Sequence, residues 1–191
     1  MRRATYLRWS VWGLALVCGA AAAQASEAEA PPVQVGHPAP AFALPDQSGA
    51  THQLADYRGR WVLVYFYPKD DTPGCTKEAC ALRDRFGEFV ARKVAVLGIS
   101  ADSVESHKQF AGKFQLPFPL LADTDKQVVQ AYGVWGERQM QGKASMGIRR
   151  TSFLIDPQGT VAKIYPNVNP EEHAQEILRD LTQLGAQEVV D

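Results

Sequence analysis

The chain has 191 residues, 46% of them hydrophobic and 21% charged, with a formal net charge of −1. That is one domain's worth of sequence, long enough for a proper core. With the charges balanced and no Lys/Arg stripe, nucleic acid and anionic membrane surfaces are excluded as expected partners.

Residues 1–25 read as a secretory signal peptide. Arg2, Arg3 and Arg8 give a basic start, Val11 to Ala23 is apolar and small, and Ala23-Gln24-Ala25 has the A-x-A form of a cleavage site. The apolar stretch is short for a membrane span, so cleavage is expected in preference to an uncleaved anchor. Cys18 lies within it, but Val17 before it is not the small residue a lipidation signal needs. The expected product is an exported, bacterial periplasmic protein with no stable membrane association. Loss of the three arginines moves its formal charge from −1 to −4. Residues 26–34, rich in Ala, Glu and Pro, read as a flexible tether, and 35–191 as a single domain without internal repeats.

Ala41 to Leu44 and Thr51 to Leu54 form a short hairpin about Gln47-Ser48-Gly49. Trp61 to Tyr67 is a nearly continuous apolar run, as in a strand buried on both faces. Pro73 to Arg92 has helical spacing. A second buried strand follows at Val94 to Ser100, then a helix from Ser103, its cap, to Phe114. Pro117 to Leu121 is extended and Thr124 to Tyr132 helical. Arg150 to Ile155 and Val161 to Tyr165 are strands about the turn Asp156-Pro157-Gln158-Gly159. Asn169 caps a final helix to Leu184, with Pro170 at its first position. Alternating strands and helices, then a hairpin and a helix, indicate an α/β fold: a central mixed sheet flanked by helices, with an N-terminal β-hairpin.

Beyond the leader only Cys75 and Cys80 remain. An even pair in an exported chain usually indicates a structural disulfide. Here the two thiols share one helix, where residues five apart have Cα atoms roughly 8.6 Å apart, whereas a disulfide wants less than about 7 Å. They can bond only if that helical turn unwinds, which is the geometry of a switch. Cys75 also sits where a loop becomes a helix, among unpaired N–H groups and the positive dipole end that favour a thiolate. On a helical wheel Cys75, Ala79, Leu82, Phe86, Phe89 and Val90 share one face, and Cys80 lies on the flank. Free cysteines often end simply as small buried hydrophobes. Against that, Pro68 stops the strand, Pro73 and Gly74 tighten the turn, and Thr72 brings a hydroxyl that can donate to sulfur or accept from a substrate.

Pro68-x-x-x-Thr72-x-x-Cys75 resembles the P-x-x-x-T/S-x-x-C motif of peroxiredoxins, and the Cys75–Cys80 spacing resembles the Q-type, or bacterioferritin-comigratory, subgroup. Gly36 to Phe42, Tyr132 to Glu137 and Arg150-Thr151-Ser152-Phe153 are similar to other segments of that family. The resemblance implies a thioredoxin-like fold and a thiol peroxidase that needs no metal, haem or other cofactor. It implies Cys75 as the peroxidatic thiol, Cys80 as the resolving thiol, and Arg150, rather than Arg149, as the active-site arginine. Thr72 would orient the peroxide, Pro68 would complete the catalytic loop, Gly74 and Tyr67 would contact hydroperoxide, and a thioredoxin-like protein, expected on the outer side of the membrane, would be the reductant. Monomers or weak dimers are expected.

Asp70, Asp71 and Glu78 read as a solvated rim, and His37, His52, His107 and His173 as surface or packing residues. Two alternatives share the fold: an exported thiol–disulfide oxidoreductase, and a copper-binding module using the cysteine pair. The x₄ spacing, and Arg150-Thr151-Ser152 in place of a cis-proline segment, count against the first. The absence of a histidine near Arg150 in the sequence counts against the second.

Overall fold

A computed structural model describes residue 1 and residues 33–140 and 143–186. Apart from residue 1, the predicted leader lies outside the described residues, as does nearly all of the tether. The N-terminal hairpin is present, β1 (Ala43–Pro45) with β2 (Thr51–Gln53), followed by a 3-10 turn at Leu54–Tyr57. A five-stranded sheet is built from β3 (Val62–Phe66), β4 (Ala95–Ser100), β5 (Leu120–Ala122), β8 (Thr151–Ile155) and β9 (Val161–Pro166). The strand order is β5-β4-β3-β8-β9, parallel from β3 to β5 and antiparallel from β3 to β9.

Central β3 is fully buried because it serves two cores. Leu63 and Tyr65, followed by Tyr67, point to one cluster; Val62, Val64 and Phe66 point to the other. This is the two-residue period of a strand with apolar layers on both faces. The first cluster is roofed by α1 (Pro73–Asp84), α2 (Phe86–Ala91), α3 (Val104–Phe114) and α5 (His173–Gln183), through residues such as Leu82, Phe89, Phe110 and Ile177. The second is covered by the N-terminal hairpin, the 3-10 turn and α4 (Gln127–Ala131).

The structure differs from expectation at four elements. The predicted helix 73–92 is two helices, broken at Arg85 (φ −108, ψ 11), and Val90 is 55% exposed rather than on the buried face. The segment 135–148 is a separate antiparallel hairpin, β6 (Trp135–Met140) with β7 (Lys143–Ile148). Lys126 adopts a left-handed conformation (φ 60), so α4 starts three residues later than Thr124. The final helix begins at His173, because Asn169 instead closes a local turn, its Oδ1 accepting from Glu171 N–H at 3.2 Å. Ser103 caps α3 as its sequence indicates, accepting from Ser106 N–H at 3.2 Å. Among the described residues no helix is long and apolar enough to cross a membrane.

Candidate active site

β3 delivers the chain to Tyr67 and Pro68 at one end of the sheet, and a short loop returns it as α1. Thr72 is the N-cap in an extended conformation (φ −91, ψ 151), and Pro73 occupies the first turn with its ring already set for helix. Thr76 N–H is taken by Thr72 C=O at 2.8 Å. Proline has no N–H, so Gly74 and Cys75 supply the other amide donors of this helix end. Cys75 is 2% exposed and packs with Ala79 and Leu82; Cys80 is half-buried on the flank, and both thiols are free.

Arg150 stands immediately before β8, whose Thr151 pairs with Phe66 at the end of β3. The register therefore brings its side chain to the start of α1. Nη2 donates to Cys75 Sγ at 3.2 Å, and Nη1 donates to Glu78 Oε2. Burial works against the guanidinium charge, but Glu78 and Cys75 outweigh it and its pKa is raised. A Cβ on Gly74 would lie 3.2 Å from Arg150 Nη2, so glycine provides the room for this approach. Arg149 points elsewhere: it is exposed and donates to Gly133 C=O.

Glu78 is wholly buried, one turn after Cys75 on the same face of α1. Burial pushes its carboxyl up to about 7 against the pull of Arg150. His173, also buried, shares a hydrogen bond between Nε2 and Ser152 Oγ at 2.8 Å. Burial, with help from the Arg150 charge, lowers it to about 3, so it is a neutral neighbour at ordinary pH. Glu78 carries a testable linkage. Its folded value of about 7 exceeds the ordinary 4.5, so between these pH values the folded chain holds a proton that the unfolded chain releases. Its contribution is fully present below pH 4.5 and declines as pH rises to about 7, by about 3 kcal/mol. His173, lowered to about 3, works in the opposite direction over part of this window in both proteins, so the loss should appear in urea unfolding of reduced protein as the difference between wild type and Glu78→Gln. Parallel profiles for the two proteins would refute the assignment.

The other sequence-predicted residues are placed less directly. Thr72 Oγ1 donates to Lys69 C=O at 3.0 Å, which commits its proton and leaves the oxygen as an acceptor. Pro68 is half-buried at the start of the loop. Tyr67 is buried in the same core cluster as Cys75, with its hydroxyl donating to Asp70 at 2.7 Å. The reading of Asp70 and Glu78 as a solvated rim is corrected: both are buried and bonded, and only Asp71 of the three is exposed. Sequence reasoning thus missed Glu78 as the second partner of Arg150. The available signal was its spacing, three residues after Cys75 on one helical face.

Residues 35–164 match the AhpC/TSA family. The putative peroxiredoxin bcp of Coxiella burnetii is 47% identical over 146 residues, 76% of this chain and 97% of that protein. Peroxiredoxin Bcp of Escherichia coli is 47% identical over 147 residues, covering 77% of this chain and 94% of its own length. Among solved structures, the bacterioferritin comigratory protein of Xanthomonas campestris, studied for alkyl peroxide reduction, superposes with a TM-score of 0.71 at 36% identity, covering 76% of this chain and 92% of that one. These relatives overturn the exported, periplasmic location expected from the N-terminal residues. The two Bcp proteins are matched over 94–97% of their own length, leaving them almost no sequence for a counterpart of that leader.

Proposed function

The chain belongs to the AhpC/TSA family and is a peroxiredoxin, and on that premise we propose that Cys75 is its peroxidatic thiol and Cys80 its resolving thiol. The observation that carries the assignment is the Arg150 Nη2–Cys75 Sγ contact at 3.2 Å, at the N-terminus of α1. The enzyme is a thiol-dependent peroxidase that uses a hydroperoxide and a thioredoxin-type reductant.

In the first step Cys75 thiolate attacks one oxygen of hydrogen peroxide or an organic hydroperoxide. An S–O bond forms, the O–O bond breaks, and the second oxygen leaves, taking a proton to become water or alcohol. Sulfur is oxidised by two electrons to the sulfenic acid. Negative charge spreads over sulfur and both oxygens as the bond breaks. Arg150 and the N–H groups of Gly74 and Cys75 are fixed where that charge develops, so little reorganisation is needed. Thr72 Oγ1, an acceptor here, receives the hydroperoxide O–H and orients it, while Pro68 shapes the loop. Tyr67 backs the site.

In the second step the α1 turn unwinds and Cys80 sulfur attacks Cys75 sulfur. The S–S bond forms and water departs. A protein dithiol then reduces the disulfide by exchange. Both thiols and the guanidinium come from one chain, so the cycle needs neither a second subunit nor a membrane. We therefore read the protein as a monomer or weak dimer, with residues 35–191 as the catalytic domain. Residues 1–25 and 26–34 are segments preceding that domain, the former retaining the sequence form of a signal peptide without an export role assigned. A copper-binding role is disfavoured because a guanidinium 3.2 Å from the sulfur repels a cation.

Treating reduced protein with one equivalent of hydrogen peroxide tests the assignment. Mass spectrometry should find a Cys75–Cys80 disulfide, and a sulfenic-acid trap added at once should label Cys75. An unmodified Cys75 would overturn it. A second check uses Gly74→Ala. The added Cβ favours the helix by up to about 1 kcal/mol, yet it displaces the guanidinium and should slow Cys75 oxidation about tenfold. Stopped-flow kinetics beside thermal unfolding separates the two effects, and an unchanged rate would mean that the arginine position is unimportant.

A further inference from the structure

The loop between β3 and α1 is held from outside itself, by α3. Asp70 is buried within that loop. Its Oδ1 accepts from Tyr67 OH at 2.7 Å; its Oδ2 accepts from Ser106 Oγ at 2.7 Å and meets His107 Nδ1 at 2.8 Å. Its backbone N–H donates to Asp102 Oδ2 at 2.9 Å, an oxygen that also accepts from Ser100 Oγ at 2.7 Å. Ser106 and His107 belong to the first turn of α3. The next loop residue, Asp71, is held by the last turn of the same helix, where Lys113 Nζ contacts both carboxylate oxygens at 2.7 and 2.9 Å. Asp71 has φ 52, a left-handed conformation that a non-glycine residue keeps only when its surroundings enforce it.

Burial raises the cost of a charge on Asp70, but the bonds from His107, Ser106 and Tyr67 outweigh it and its pKa lies below the ordinary carboxylate value. A carboxylate this well satisfied is a rigid attachment, since removing it strands several buried donors at once. Tyr67, His107 and Asp70 take no part in bond making at Cys75. Their geometry instead fixes the residues leading directly to Thr72 and Cys75.

We propose that Asp70 is a positioning residue for peroxide reduction: clamped by the N-terminal turn of α3, it holds the loop that sets Cys75 against Arg150, and it confines the unwinding of α1 to residues after Thr72. This rests on the reading of Cys75 as the peroxidatic thiol. The clamp holds the wound, peroxide-reactive form of α1. Loosening it slows both reactions that require that form. One is the first oxidation of Cys75; the other is attack of its sulfenate on a second hydroperoxide, which adds another oxygen to sulfur and releases water or alcohol. Condensation with Cys80 needs the unwound form and is not slowed.

The experiment compares wild type, Asp70→Ala and Asp70→Asn by stopped-flow oxidation and by the ratio of sulfinic acid to disulfide formed at high hydrogen peroxide. The expected result for Asp70→Ala is a rate of Cys75 oxidation lower by about tenfold or more, with a smaller share of sulfinic acid. Asparagine, which keeps an acceptor oxygen, should recover part of the rate. A role confined to global stability would lower the thermal midpoint and leave both readouts unchanged. If Asp70→Ala does not fold, Ser106→Ala removes a single donor and should shift both readouts in the same direction. A folded variant with wild-type rate and wild-type product ratio overturns the clamp alone. Failure of wild-type Cys75 to oxidise would instead overturn the assignment beneath it.

Discussion

Serine at position 75 should abolish hydroperoxide turnover, whereas serine at position 80 should leave the first oxidation intact and stop the cycle there. The two replacements are close in size to cysteine, so the Arg150–Glu78 pair and the packing of α1 persist in both. What Cys75→Ser loses is the nucleophile: a hydroxyl is hardly ionised at neutral pH, and the group that contacts this position, the Arg150 guanidinium, cannot act as a base. In Cys80→Ser the sulfur, the guanidinium and the helix end are unchanged, and one equivalent of hydroperoxide should be consumed at the wild-type rate. The sulfenic acid then has no partner thiol. Mass spectrometry should show Cys75 gaining one oxygen, and a second oxygen with excess peroxide. Sustained turnover by Cys80→Ser with a thioredoxin-type reductant, at the wild-type rate, would remove Cys80 from the mechanism.

Arg150→Met is expected to slow Cys75 oxidation by about 10²–10³-fold, the usual scale for removing one donor aimed at developing charge. Methionine fills much of the same space, so the loss reports charge and hydrogen bonding. Its complication is Glu78, which would lose its charged partner Arg150 while remaining buried. A stranded buried charge costs about 3–5 kcal/mol, although a carboxyl already raised to about 7 can escape part of that cost by taking a proton. The double variant Arg150→Met/Glu78→Gln removes both charges. It should recover stability towards wild type without recovering the rate. Recovery of both would mean that Arg150 acts only by neutralising Glu78. Arg150→Lys should rescue poorly, since one ammonium cannot hold Glu78 and the sulfur with two separate nitrogens.

Much of the central architecture was legible because strands buried on both faces write continuous apolar runs, as at Val62 to Phe66 and Ala95 to Ser100. Ser103 was legible as a cap for a local reason, since its hydroxyl reaches only three residues ahead. The break at Arg85 was not, because the apolar period runs on through Phe86 and Phe89 and only the backbone angles reveal the interruption. The hairpin at 135–148 was missed because its pairing is internal and polar, with little of the alternation that marks a half-buried strand. At the site, the motif from Pro68 to Cys75 pointed to the loop and thiol. The depth of Asp70 and Glu78 was hidden, since a carboxylate in a local sequence reads as solvated unless its distant partner is known. His107 lies 37 residues from Asp70 and Arg150 lies 72 from Glu78. Such pairs are products of topology.

The interruption at Arg85 divides the helical roof into two mechanical parts. Phe89 in α2 is fully buried beneath that roof, and Phe86 packs against the same cluster. A continuous rod from Pro73 to Ala91 would transmit fraying at the thiol end into these anchors. With the axis broken, α1 can act as a separate small foldon whose opening stops at the joint. On the proposed mechanism each redox cycle would then expose only a few side chains to water, while α2 serves as a bulkhead over the aromatic interior. If α1 opens at every turnover, as the proposed disulfide step requires, the joint thereby limits the sticky surface the protein shows to its neighbours.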